Sequence, residues 1–149
     1  MNNRIIKSFE SAIGKMKSRN WDTIYVFVDL HETLLKPTWD ANRKADEFYP
    51  YSVEVMKLLT NLPFIKLVMY TSSTPKDISS YIKLFLLRGI IFDYINDNPE
   101  VVSTEYGDYT KKPYMNVLLD DKAGFDPEED WICLRNYLST LCTTNTESH

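Results

Sequence analysis

Four short clusters of polar side chains stand at the ends of apolar runs in this 149-residue chain. Asp29, His31 and Thr33 follow the run that ends at Val28; Thr71, Ser72 and Ser73 follow the run that ends at Tyr70; Asp120 and Asp121 end the run from Tyr114 to Leu119, and Lys111 and Lys112 precede it. Carboxylates brought together repel one another and raise each other's pKa unless a cation sits among them. The donors are oxygens with at most one imidazole and no thiolate, so a hard ion such as Mg²⁺ is the expected guest. A hydroxyl and a lysine beside such an ion could hold the non-bridging oxygens of a phosphoryl group. One carboxylate could then attack phosphorus and form an aspartyl-phosphate. Asp29 is the strongest candidate, because a carboxylate at the end of a buried run is costly without a partner.

These clusters need elements that bring them to one place. Ile5, Phe9, Ile13 and Met16 step by three or four, which predicts a helix over residues 3–19 with one apolar face. Thr23 to Leu30 is β-branched and aromatic, the pattern of a central strand buried on both faces. After a polar stretch from His31 to Pro50, Ser52 is expected to cap a helix ending before Pro63. Phe64 to Tyr70 predicts a second strand. Thr74 and Pro75 read as the cap and first turn of a helix stopped by Gly89. Ile90 to Ile95 predicts a third strand, residues 96–112 a polar loop, and Tyr114 to Leu119 a fourth strand. A last helix is expected from Asp126-Pro127-Glu128-Glu129 to about Cys142, followed by a frayed tail over residues 143–149. Alternating strands and helices imply one α/β domain over residues 1–149, with a mainly parallel sheet covered on both faces. In such sheets the site lies at the carboxyl ends of the strands, where three of the four clusters fall.

The order of these clusters resembles the haloacid-dehalogenase-like (HAD) hydrolases. The first motif of that family, an apolar strand ending in Asp-x-Asp-x-Thr, is matched by Val26-Phe27-Val28-Asp29-Leu30-His31-Glu32-Thr33. The second, a strand ending in Thr or Ser, is matched by Leu67-Val68-Met69-Tyr70-Thr71. Lys112-Pro113 fits the third, and Val117-Leu118-Leu119-Asp120-Asp121 the fourth. The likeness spans roughly residues 23–135 and leaves the N-terminal helix outside it.

The resemblance implies a three-layer α/β/α Rossmann-like fold and a set of roles. Asp29 would be the nucleophile and a metal ligand; Thr71, or secondarily Ser72, would bind phosphoryl oxygens. Lys112, in preference to Lys111, would neutralise charge. Asp120, Asp121 and the backbone carbonyl of His31 would complete the Mg²⁺ site. His31 stands where family phosphatases carry the Asp that acts as general acid and base, and an imidazole can do that work or mark its loss. Glu32 stands where Gly is common. Asp126 reads either as a further acid of the fourth motif or as a helix cap, the cap being preferred. The polar stretch after Asp29 is too short for a large cap domain. An open site of that kind suits a phosphorylated small molecule, nucleotide or macromolecule.

Composition narrows the classes. Hydrophobic residues make up 44% and charged residues 26%, as in ordinary globular proteins, and the net charge of −4 argues against a basic nucleic-acid-binding surface. There is no apolar run long enough to span a bilayer and no signal-peptide pattern, so a cytoplasmic protein is expected. Cys133 and Cys142, roughly 13 Å apart on one helix by its rise, cannot pair and form no zinc pattern. The stripe from Ile5 to Met16 is expected to dock on the body of the chain, with a dimer contact as the lesser reading.

Two functions follow. One is a Mg²⁺-dependent phosphohydrolase or phosphotransferase acting on a phosphate monoester. The other is a non-catalytic metal- or phosphate-binding module that kept the fold and lost turnover. A receiver domain is excluded by chain order, since there the acidic pair comes first and here it follows the lysines.

Overall fold

In a computed structural model that describes residues 3–147, with side chains through residue 142, strand β1 (Ile24–Asp29) is the centre of the sheet. Its residues from Ile24 to Val28 are all buried, as an unbroken apolar run requires. It pairs in parallel with β2 (Ile65–Tyr70) on one side and β4 (Val117–Leu119) on the other. The short β3 (Tyr94–Ile95) pairs in parallel with β2, giving the order β3-β2-β1-β4. The architecture is α/β with a Rossmann-like layered arrangement, helices packing on an all-parallel sheet.

Topology follows from this order. The chain steps from β1 to β2 to β3 in one direction, so right-handed crossovers put their two helices, α2 (Ser52–Asn61) and α3 (Pro75–Leu87), on one face. It then reverses to reach β4, and the same rule sends that crossover, residues 96–116, across the opposite face. The side chains agree. Val26, Val28, Leu67, Met69 and Leu119 share one cluster with Met56 and Leu59 of α2 and Phe85 of α3. Tyr25, Phe27 and Val68 face the other way, where Val101, Tyr114 and Met115 pack on them.

Helix α1 (Arg4–Ser18) buries Phe9, Ala12 and Ile13 and packs on β1, β4 and α4 (Asp130–Glu147). Its apolar stripe is therefore used within the chain. The Asn3 side chain caps α1 by accepting from the Ile5 and Ile6 N–H groups, and its amide donates to Asp130 Oδ1 at 2.7 Å. One residue thus satisfies a helix end and ties it to the start of α4. Cys133 and Cys142 are half-buried on α4.

Several boundaries differ from the sequence expectation. Ser52 is the first residue of α2 and its hydroxyl donates back to the Tyr49 carbonyl, so the cap position falls to Tyr51 in a left-handed conformation. The third and fourth strands are two and three residues long because side chains take over part of the ladder. Asp93 Oδ2 accepts the Leu67 N–H, and Asn116 Oδ1 accepts the Tyr25 N–H. Helix α4 begins at Asp130, four residues beyond the expected start, and runs to Glu147; of the expected tail, residues 148 and 149 and the side chains from 143 lie outside the described residues.

Candidate functional site

The reversal of strand order places a crevice at the carboxyl end of β1, between β1 and β4. Asp29 is the last residue of β1; Asp120 directly follows β4, and Asp121 opens a 3₁₀ turn (Asp121–Ala123). Each of these acids offers a carboxylate oxygen, and the three oxygens lie within 4.8 Å of one another. The Asp120 side chain also accepts the Lys122 N–H at 2.9 Å, which pins the turn.

Burial pushes the Asp29 carboxyl up to about 7 from its ordinary 3.8. The Asp120 and Asp121 carboxylates push the same way, and a hydrogen bond from Thr33 opposes them. The cause of the raised value is crowded negative charge in a half-dry place, which a bound cation would relieve. Three carboxylates and no soft donor suit Mg²⁺, so the residues present fit the ion that the motif order implies.

Thr33 is fully buried behind this group. Its hydroxyl lies 3.0 Å from Asp29 Oδ2 and 3.2 Å from Asp121 Oδ1, and accepts the Asp121 N–H at 2.9 Å. Its carbonyl accepts the indole N–H of Trp131, a fully buried residue of α4, at 2.8 Å. The loop between β1 and its neighbour is thereby locked to α4.

A cleft of about 540 Å³ opens over the acids. Thr71 and Ser72, at the end of β2, both line it. The Thr71 hydroxyl is 2.8 Å from Ser73 Oγ and accepts the Ser73 N–H, so it also shapes the turn into α3. Of the two lysines, Lys111 lines the cleft and Lys112 does not. Asp126 stays out of the acidic group and closes a local turn, its side chain accepting the Glu128 N–H at 3.0 Å.

His31 lines the cleft, with its ring turned toward α3: Nε2 is 2.8 Å from the buried Tyr81 hydroxyl. Three further residues of the cleft are given no role by the motifs. Asn96, at the end of β3, accepts the Thr71 N–H and donates to the Thr71 carbonyl, holding the β2 terminus. Strand-end position would have found it, had β3 been treated like the other strands. Glu32 adopts a left-handed conformation at φ 62°, and Lys122 follows the acidic pair.

Comparison with known proteins bears on the fold. No family model and no curated protein matches the chain. Among solved structures it is similar to a conserved protein from Bacteroides thetaiotaomicron, with 19% identity and a TM-score of 0.59 over 79% of this chain and 91% of that one.

Proposed function

We propose that the chain is a Mg²⁺-dependent phosphohydrolase or phosphotransferase of the HAD-like type, acting on phosphate monoesters through an aspartyl-phosphate at Asp29. The observation that carries this reading is the convergence of the Asp29, Asp120 and Asp121 carboxylates within 4.8 Å, in a cleft that also holds Thr71 and Lys111. Structural ion pairs do not account for it, because the three are alike in charge.

Asp29, Asp120 and Asp121, with the His31 carbonyl as a further oxygen, would hold the ion. When bound, it would neutralise the carboxylates and draw charge from the phosphoryl oxygens. An Asp29 oxygen attacks phosphorus while the ester P–O bond breaks and the leaving oxygen takes up a proton; water then hydrolyses the acyl phosphate and restores the carboxylate. Thr71 and Lys111 hold the non-bridging oxygens through both steps.

His31 is the proton carrier in this reading. Nε2 and the buried Tyr81 hydroxyl lie 2.8 Å apart, and the tautomer of the ring decides which of them donates. Nδ1 takes no part in this contact, so it is the ring nitrogen left to carry the proton. The same contact favours the second reading, a binding module without turnover, because it engages a His31 nitrogen away from Asp29.

Hydrolysis of p-nitrophenyl phosphate with and without Mg²⁺ tests the proposal. Turnover lost on chelation and in Asp29→Asn is the expected result. Mg²⁺ binding with neither turnover nor a trapped phosphoenzyme would move the assignment to the binding module, and turnover that survives Asp29→Asn would remove Asp29 as nucleophile.

A further inference from the structure

A second cavity, of about 530 Å³, adjoins the acidic cleft, and His31 and Glu32 line both. Its far wall is the segment after β1, with Thr38, Asn42, Arg43 and Lys44; α3 contributes Asp77 and Tyr81. We propose that this cavity is a leaving-group subsite for a neutral polyhydroxylated group, so that the chain acts on phosphorylated sugars or polyols. The proposal rests on the phosphoryl-transfer reading of the neighbouring cleft.

Charge balance argues for a neutral group. Lys44 Nζ is 3.1 Å from Asp77 Oδ1, and Arg43 Nη2 is 3.1 Å from Asp46 Oδ1. Each cation already has its counter-charge. An anionic substituent would have to compete with those carboxylates, and a cationic one with those cations.

Hydroxyl groups face no such competition. Lys44 has three N–H donors, two of them directed at Asp77 and at Ser80 Oγ, which leaves one. The Asn42 side chain adds two donors and an acceptor, and Glu32 and Asp77 accept. Donors and acceptors lining one space are what a ring bearing several hydroxyls can satisfy together. An apolar substituent would instead strip water from these groups and return no hydrogen bonds, which is unfavourable. The volume lies within the range of small-molecule sites and is ample for a hexose.

Position completes the case. The two spaces meet at His31 and Glu32, so the ester substituent of a phosphoryl group over Asp29 would pass these two residues to reach the second cavity. His31 is held at that boundary by the buried Tyr81, whose ring stacks on Phe85 at 6.2 Å.

The test uses the ¹⁵N-labelled full chain with Mg²⁺, titrated with a hydrolysis-resistant phosphonate analogue of glucose 6-phosphate and, separately, with benzylphosphonate. The sugar analogue is expected to shift the amides of Thr38, Asn42 and Lys44 together with those around Asp29 and Asp120, and benzylphosphonate only the latter. Ala41→Trp, an exposed position in the cavity wall, should weaken the sugar analogue at least about tenfold more than benzylphosphonate. Shifts confined to the acidic cleft with both ligands, or equal weakening of both, would overturn the subsite and leave the phosphoryl-transfer reading standing. No shift in either region would overturn both. Shifts in both regions, without turnover of glucose 6-phosphate itself, would keep the polyol site and overturn hydrolysis. Tighter binding of adenosine monophosphate than of the sugar analogue at Asn42 and Lys44 would overturn the polyol class.

Discussion

Thr33 Oγ1 lies 3.0 Å from Asp29 Oδ2, so the candidate nucleophile is held by a buried hydroxyl four residues further along its own loop. The same oxygen accepts the Asp121 N–H and lies 3.2 Å from Asp121 Oδ1. A hydroxyl carries one proton, so it can donate to only one of the two carboxylates at a time. It therefore couples the acids at the ends of β1 and β4 while leaving their crowded charge unneutralised, which a cation would relieve.

Thr33→Val keeps the shape and removes that coupling. The half-buried Asp121 N–H loses its acceptor and Asp29 loses the bond that holds its pKa down. Urea unfolding should show a loss of about 0.5–1.5 kcal/mol, the net worth of a hydrogen bond that water can partly replace. A variant as stable as wild type would mean that the Thr33 hydroxyl does no structural work.

How much of this could be read from the sequence depends on the range of the interactions. Asp29, Thr71 and Asp120 stand at the ends of apolar runs, and strand direction alone brings such ends together, so this part of the cleft needed only periodicity and parallel pairing. The length of β3 did not follow from periodicity, because Asp93 replaces a ladder bond with its side chain. Nor did the start of α4, where Asp130 Oδ2 accepts the Asp126 N–H and Oδ1 the Asn3 amide. Lys111 and Lys112 differ in sequence only by the proline that follows Lys112, and it is Lys111 that lines the cleft. The His31–Tyr81 contact spans fifty positions and leaves no local trace.

Glu32 gives a prediction that concerns the turn and not the chemistry. At φ 62° it occupies the left-handed region, where a side chain costs about 1–2 kcal/mol and glycine does not. Glycine also loses more freedom on folding, so Glu32→Gly should gain only about 0.5–1 kcal/mol, read as a rise in unfolding midpoint. A fall would mean that the Glu32 carboxylate makes a stabilising contact worth more than the backbone strain.

The lysine pair can be separated by rate. Lys111→Ala should lower kcat/KM for p-nitrophenyl phosphate by about a hundredfold, the scale for loss of one donor to a developing oxyanion. Lys112→Ala, outside the cleft, should leave it near wild type. The reverse pattern would restore the motif assignment and require the 111–113 segment to turn when substrate binds.

The raised Asp29 value makes stability depend on pH with a sign opposite to that of a salt-bridged carboxylate. The folded chain holds this proton up to about 7, whereas the unfolded chain releases it near 3.8. Between those values the folded state binds more protons, so the contribution is complete below 3.8 and is lost as pH rises through about 7. Without divalent ions the melting temperature should therefore fall from pH 5 to pH 8. Saturating Mg²⁺ should oppose the fall, because it binds the ionised form and displaces the proton. Asp29→Asn removes the titrating charge and should be more stable than wild type at pH 8 in chelator, yet gain less from Mg²⁺. Thermal melts of both proteins across this range check the sign directly: a wild-type melting temperature that climbs toward pH 8 in chelator would show Asp29 to be charged and paired, and the crowded, cation-seeking site would not exist.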